Sequence, residues 1–191
     1  MNRVDPRGPF AVPRRATRWP PALVRPRPTS RTQAIVSCGG RTFIVAMGRS
    51  GIAAVKREGD GATPRGRLTP RTLLRRKPCP SPLPWRLIRP GDGWCDDTGS
   101  QHYNRAVPHP SPMSHEAILR DDALYDHVIV TDHNATPRVR GAGSAIFFHV
   151  ARPALTPTEG CLAFPAAVWR RGIVPMGPYL IGIPPRPMRA R

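Results

Sequence analysis

The apolar positions of this chain recur over short distances, mostly at alternate residues, and that pattern predicts strands separated by loops. Thr32-Gln-Ala-Ile-Val-Ser-Cys38 and Arg41-Thr-Phe-Ile-Val-Ala-Met47 flank Gly39-Gly40, which predicts a hairpin with a glycine turn. A further strand is expected through Gly51–Val55, and a brief one through Trp85–Ile88 inside a proline-rich loop. Tyr125–Asp132 is a run of β-branched residues that ends at His133-Asn134. Ser144-Ala-Ile-Phe-Phe-His149, bounded by Gly143 and Pro153, predicts a strand with a histidine at its tip. One segment has helical features, Ser114 to Arg120, with Ser114 as its cap and Glu116 and Asp121 flanking it.

Composition supports the same fold class. Twenty-six prolines and 17 glycines in 191 residues favour turns over long helices, so the expectation is a mainly β domain with one short helix and long loops. Residues 1–31 are rich in arginine and proline and lack apolar periodicity. They are expected to be a disordered extension, or sequence upstream of the true start. The domain is then expected over residues 32–185, followed by a basic tail at 186–191. Met1 to Ser30 holds nothing like the apolar core of a secretory leader, and no run is long enough to span a bilayer.

The formal charge of +18 is uneven. Residues 1–90 carry 20 Lys and Arg against only Asp5, Glu58 and Asp60. A surface of this kind attracts nucleic acid, anionic lipid or an acidic cell-wall polymer without distinguishing among them. Arginine supplies 28 of the 30 cations, a bias that a high-GC genome also produces, so no specific nucleic-acid partner is inferred.

Candidate chemistry is concentrated near residue 150. His149 ends its apolar run, and Cys161 follows 12 residues later, directly after Gly160. A thiol becomes a strong nucleophile once an imidazole takes its proton, and a glycine beside it lets backbone amides approach a developing oxyanion. The layout is that of acyl transfer. The plainer reading is a buried thiol and an unrelated histidine. His133, also at a strand end, is a rival base or a residue lining the same cleft; its plain reading is a turn whose side chains bond the backbone. Four cysteines at 38, 79, 95 and 161 show no zinc-ligand spacing, and no metal site is assigned to Trp94-Cys95-Asp96-Asp97 with His102. The glycines of Lys56–Gly66 lack the Lys-Ser/Thr that a phosphate-binding loop requires, and predict a turn instead.

His149 followed by Thr158-Glu159-Gly160-Cys161 resembles the catalytic motif of the L,D-transpeptidases, the YkuD-type domain. Asp60-Gly-Ala-Thr63-Pro64-Arg65-Gly66 resembles the structural Thr-Pro-x-Gly element upstream of it. Two positions depart from the common pattern: Glu159, where many members have His, and Ala163, where many have Arg or Asn. The resemblance implies a β-sandwich carrying a cysteine transpeptidase that needs no cofactor. Cys161 would attack the carbonyl before D-alanine in a peptidoglycan stem peptide, His149 would act as base, and amides at Gly160 and Cys161 would hold the oxyanion. Arg152 would supply the charge missing at Ala163 and, with Thr158 and His133, would contact the substrate. An acceptor amine would resolve the thioester, and the cell envelope or periplasm would be the location. A carboxypeptidase, with water as acceptor, is the alternative on the same scaffold; a polyanion-binding protein without catalysis is the alternative outside it.

Overall fold

A computed structural model describes residues 19–184. The elements in chain order begin with β1 (Ala22–Arg27), β2 (Ser30–Cys38), β3 (Arg41–Ala46), β4 (Ile52–Ala53) and β5 (Thr63–Pro64). Next come β6 (Gly66–Leu68), β7 (Pro70–Arg75), β8 (Trp85–Leu87), β9 (Asp92–Cys95), β10 (Ala106–Pro108) and β11 (His115–Ala117). A single 3-10 turn at Ala123–Tyr125 leads into β12 (His127–Thr131), β13 (Phe147–Val150) and β14 (Leu162–Phe164). The helix α1 (Ala166–Arg170) and β15 (Tyr179–Ile181) complete the described chain.

Ten strands form one sheet in the order β6-β15-β1-β2-β3-β14-β13-β12-β7-β8. The mainly β expectation therefore holds, and the sheet's two halves share one core. Val24, Val36 and Tyr179 from one half pack in the same buried cluster as Leu73, Ile129 and Phe148 from the other. Bringing both halves over a common apolar interior buries the alternate side chains of each strand, which is the main stabilising term available where the described residues hold a single short helix. The predicted hairpin is present as β2 and β3, with Cys38 opposite Arg41 and Gly39 and Gly40 both at positive φ.

Two expectations are corrected. Ser114–Arg120 is not a helix: its centre is β11, which pairs with β9 through His115 opposite Cys95 and Glu116 opposite Trp94. Seven residues are too few to repay helix nucleation unaided, and the ladder to β9 offers the same backbone groups partners without that cost. The helix lies instead at Ala166–Arg170, directly after Pro165. The second correction concerns the extension drawn at residues 1–31. Ala22–Arg27 is an interior strand, parallel to β15 and antiparallel to β2, with Ala22 and Val24 fully buried. Pro26 escapes the usual exclusion of proline from sheets because the register shifts beside it, between Pro26 and Arg27. Residues 1–18 and the basic tail at 186–191 lie outside the described residues.

β9, β10 and β11 make a separate three-stranded sheet, tied to the main body by Asn104. Its Oδ1 accepts from Trp94 Nε1 at 2.9 Å and Ala145 N at 3.2 Å, while its Nδ2 donates to the carbonyls of His133 and Asn134, both at 3.0 Å. Trp94 also meets the ring of Phe147 edge-on at 5.1 Å. These contacts bring β11 to one side of the strand that carries His149.

Candidate active site

β13 and β14 run parallel, with Phe148 opposite Leu162 and His149 opposite Ala163. Registered partners in a ladder point to the same face, and residues two apart on a strand share it. His149 and Phe147 therefore share a face with Ala163 and with Cys161, which lies just ahead of β14. That face looks into a cavity of about 540 Å³, lined by Cys161, His149, Glu116, Tyr125, Arg120 and Arg152 among others. Ala163, the ladder partner of His149, lines the same cavity and adds little bulk beside the imidazole.

The resting hydrogen bonds define the state of both groups. Cys161 Sγ donates to the carbonyl of Ala145 at 3.2 Å and accepts from Phe147 N at 3.3 Å. His149 Nδ1 lies 2.8 Å from the carbonyl of Val150. A carbonyl only accepts, so the proton is on Nδ1 and the Nε2 lone pair is left to receive a proton. Trp169 Nε1 donates to the carbonyl of His149 at 3.1 Å and holds this part of β13 in place. Burial pushes the imidazole down to about 4, and Arg120 and Arg152 push in the same direction. Burial and the Glu116 carboxylate push the Cys161 thiol up to about 12, against smaller opposing effects from Phe147 N–H and Lys56. At neutral pH the pair is a neutral thiol and a neutral imidazole.

The turn before Cys161 is braced from three sides. Thr158 Oγ1 donates to the carbonyl of Cys161 at 2.7 Å and accepts from Gly160 N at 3.2 Å. Thr63 Oγ1, fully buried, donates to the carbonyl of Gly160 at 2.9 Å and accepts from Gly48 N at 2.9 Å. Glu159 pairs with Arg49 at 2.9 Å on the surface. The Thr-Pro element upstream is structural, as expected, and the reason is Thr63. Thr158 stands at the cavity, but its hydroxyl is committed to the turn; the Gly160 amide is committed to Thr158.

Gly160 has φ +138, and a Cβ there would lie 2.8 Å from the carbonyl oxygen of Ala62 and 2.9 Å from Ile146 Cδ1. Gly160→Ala therefore meets both backbone strain and a collision with main chain. A loss of about 2 kcal/mol or more is expected, read as a lower melting temperature together with slower reaction of Cys161. Unchanged values for both would show that the turn can relax.

Arg152 is exposed on the cavity rim. His133 is not in this cavity. Its Nε2 lies 3.0 Å from the carbonyl of Ala142, and Asn134 bonds Val139 O at 2.9 Å and Gly143 O at 3.0 Å, so this pair forms the turn that was its plainer reading. His133 faces a second depression with Lys56 and Arg65.

Three residues of the cavity escaped the sequence reading. Tyr125 packs edge-on to His149 at 5.3 Å and donates to Glu116 Oε1 at 2.6 Å. Glu116 is raised above the usual carboxylate range, first by burial and then by Asp96, against the opposing effects of Tyr125 and Arg120. Arg120 lies 5.3 Å over the Tyr125 ring and is held by Asp122 through two bonds of 3.1 Å. The only available signal was Tyr125 at the head of a β-branched run.

Because the Glu116 charge disfavours a thiolate, Glu116→Gln should lower the titration of Cys161 while keeping an acceptor for Tyr125. More thiolate at a given pH means faster alkylation, so at pH 8 the labelling of Cys161 by iodoacetamide should accelerate. Slower labelling in a folded variant would remove Glu116 from the electrostatics of the thiol.

The sequence model of the YkuD family, the L,D-transpeptidase catalytic domain, matches residues 27–179. Comparison with curated proteins and with solved structures gives no match.

Proposed function

We propose, because the chain belongs to the YkuD family of L,D-transpeptidase catalytic domains, that Cys161 is the nucleophile of an acyl transfer on peptidoglycan stem peptides. The family acts on peptidoglycan and is associated with the cell wall, and among the described residues no helix is long and apolar enough to cross a membrane. The observation that carries the reading is the shared face of two adjacent parallel strands, which puts the Cys161 thiol and the His149 imidazole at one cavity with two arginines.

In this reading the substrate carbonyl enters beside Cys161, and the thiol turns away from the Ala145 carbonyl toward it. His149 Nε2 takes the thiol proton as sulfur attacks, so the thiolate is formed in the reaction and not stored beforehand. The imidazolium then protonates the departing amine of D-alanine, leaving a thioester on Cys161. In the second half an acceptor amine attacks the thioester and gives its proton to His149; the C–S bond breaks, the new amide departs, and His149 returns the proton to the Cys161 sulfur. Arg152, exposed at the rim, would hold a stem-peptide carboxylate, a group that the planar fork of a guanidinium suits, whereas the fork of Arg120 is already taken by Asp122. Tyr125, fixed by Glu116, limits the tilt of the His149 ring. The envelope is the proposed place of action.

Intact mass after incubation with a carbapenem tests the nucleophile. The expected result is one covalent adduct, mapped to Cys161 and absent from Cys161→Ala. An adduct retained in that variant would overturn the assignment. Arg152→Lys should already weaken stem-peptide binding, because an ammonium cannot reproduce the fork; equal kcat/KM for Arg152→Lys, Arg152→Ala and the parent would take Arg152 out of the site.

A further inference from the structure

One strand in from the sheet edge opposite β6 stands the one charged side chain among the largest fully buried residues described, Arg75, the last residue of β7. Its guanidinium carries three nitrogens, and two of them, Nε and Nη2, have no hydrogen-bond partner among the described residues. The third, Nη1, bonds both the carbonyl oxygen and the sulfur of Cys79. The Trp85 ring lies 4.8 Å from the guanidinium carbon, and His127 is the ladder partner on β12. Burial lowers its titration and Cys79 raises it, and no carboxylate among the described residues acts on it. A buried cation without an anion is costly, and native structures pair such groups or give them a task.

Cys79 offers the complementary feature. It is exposed, in contrast to the buried Cys95 and Cys161. Its thiol donates outward to the carbonyl of Pro80 at 3.6 Å, which leaves the sulfur lone pairs toward Arg75. Pro78 and Pro80 flank it and restrict the backbone on either side. The sulfur is thus open to solvent on one side and backed by a fixed positive charge on the other. Arg76, the next residue, spends its charge on Asp126 at 3.0 Å, whereas Lys77, two residues before Cys79, is exposed.

We propose that Cys79 is a second reactive thiol of this protein, a site of thiol–disulfide exchange with small disulfides that carry carboxylates, activated by the buried Arg75. This inference is independent of the acyl-transfer reading of Cys161. The Cys79 proton leaves to solvent, and its sulfur attacks the near sulfur of the disulfide. The new S–S bond forms as the old one breaks, and the far sulfur departs as a thiolate with the bonding electron pair. Arg75 Nη1 keeps its hydrogen bond to the Cys79 sulfur through the exchange, and does so without reorganising because burial has already fixed it. The product is a mixed disulfide on the exposed loop between β7 and β8. Arg75 and Lys77 together favour an anionic disulfide over a cationic one.

The test compares the exchange rate of Cys79 in the full chain with that of a peptide spanning residues 72–87, which keeps Arg75 and Lys77 but not the fold. Oxidised glutathione and cystamine serve as the anionic and cationic probes, with mass and peptide mapping to assign the modified cysteine. The folded chain should react with oxidised glutathione about tenfold faster than the peptide, and its preference for that probe over cystamine should exceed the peptide's. Arg75→Met should bring the folded rate down to that of the peptide. Rates for folded chain and peptide within about twofold of each other, or an Arg75→Met variant that exchanges as fast as the parent, would overturn the proposal. Should Arg75→Met fail to fold, the comparison of chain and peptide decides alone.

Discussion

Removing residues 1–31 is expected to abolish cooperative folding. β1 is not an edge: it lies between β15 and β2 in the ten-stranded sheet. Its loss would strip β2 of the pairing that runs from Leu23 opposite Ser37 to Arg27 opposite Ser30, and β15 of the pairing from Ala22 opposite Tyr179 to Val24 opposite Ile181. The bond from Ala22 N to Pro178 O at 2.8 Å and that from Gly182 N to Val24 O at 2.9 Å would go with them. Each buried backbone group left without a partner costs about 1–3 kcal/mol. Loss of the buried Val24 side chain removes about 1.5–3 kcal/mol more. Several such terms together exceed the stability of an ordinary domain, about 5–15 kcal/mol in total. Circular dichroism and thermal melting of the truncated chain would then show neither the β signal nor a transition. A melting temperature within a few degrees of the parent would mean that β2 and β15 close on each other without β1. The family match begins at residue 27, so a boundary placed by that match alone would discard most of this strand.

That strand shows what the sequence makes legible and what it hides. The hairpin of β2 and β3 is readable because alternation and a Gly-Gly turn are local signals, and the pairing they predict holds over six residues on each side. The strand of His149 and the glycine before Cys161 are readable for the same reason. β1 is hidden by its surroundings: three apolar residues follow Pro20-Pro21 and precede Pro26, and nothing local reveals that β15, more than 150 residues later, completes its pairing. Glu116 is hidden more deeply. A capping serine followed by an acid imitates a helix start, and only the pairing of β11 with β9 turns Glu116 toward Tyr125 and the cavity. Non-local pairing overrides weak local propensity here, and the residues that shape the environment of His149 arrive through it. The same limit applies to His133, whose strand-end position suggested the cleft that His149 occupies. Arg75 was legible only as one arginine among many, because nothing along the chain shows which of them is buried.

Replacing His149 by alanine is expected to slow acylation of Cys161 by about 10²–10⁴-fold, the usual contribution of a positioned general base. The sign of the pH dependence follows from the resting state. With the imidazole held near 4 and the thiol near 12, the parent contains a neutral base and a neutral thiol across the whole range between. Acylation should therefore stay level from mildly acidic to neutral pH and fall only as pH approaches 4, where His149 takes a proton and can no longer accept one. A stored thiolate–imidazolium pair would behave differently, because its rate would fall wherever the thiolate itself is protonated. In His149→Ala the acid limb should vanish. The residual rate should then rise with pH toward the thiol's own high titration, since hydroxide alone generates the nucleophile. The measurement is the rate of carbapenem adduct formation between pH 4 and pH 10 for parent and variant, with circular dichroism to establish that each is folded. A variant that keeps both the rate and the acid limb would show that another group takes the thiol proton. His133, turned to the Ala142 carbonyl outside the cavity, is placed too poorly to be that group, so His133→Ala should leave the profile unchanged.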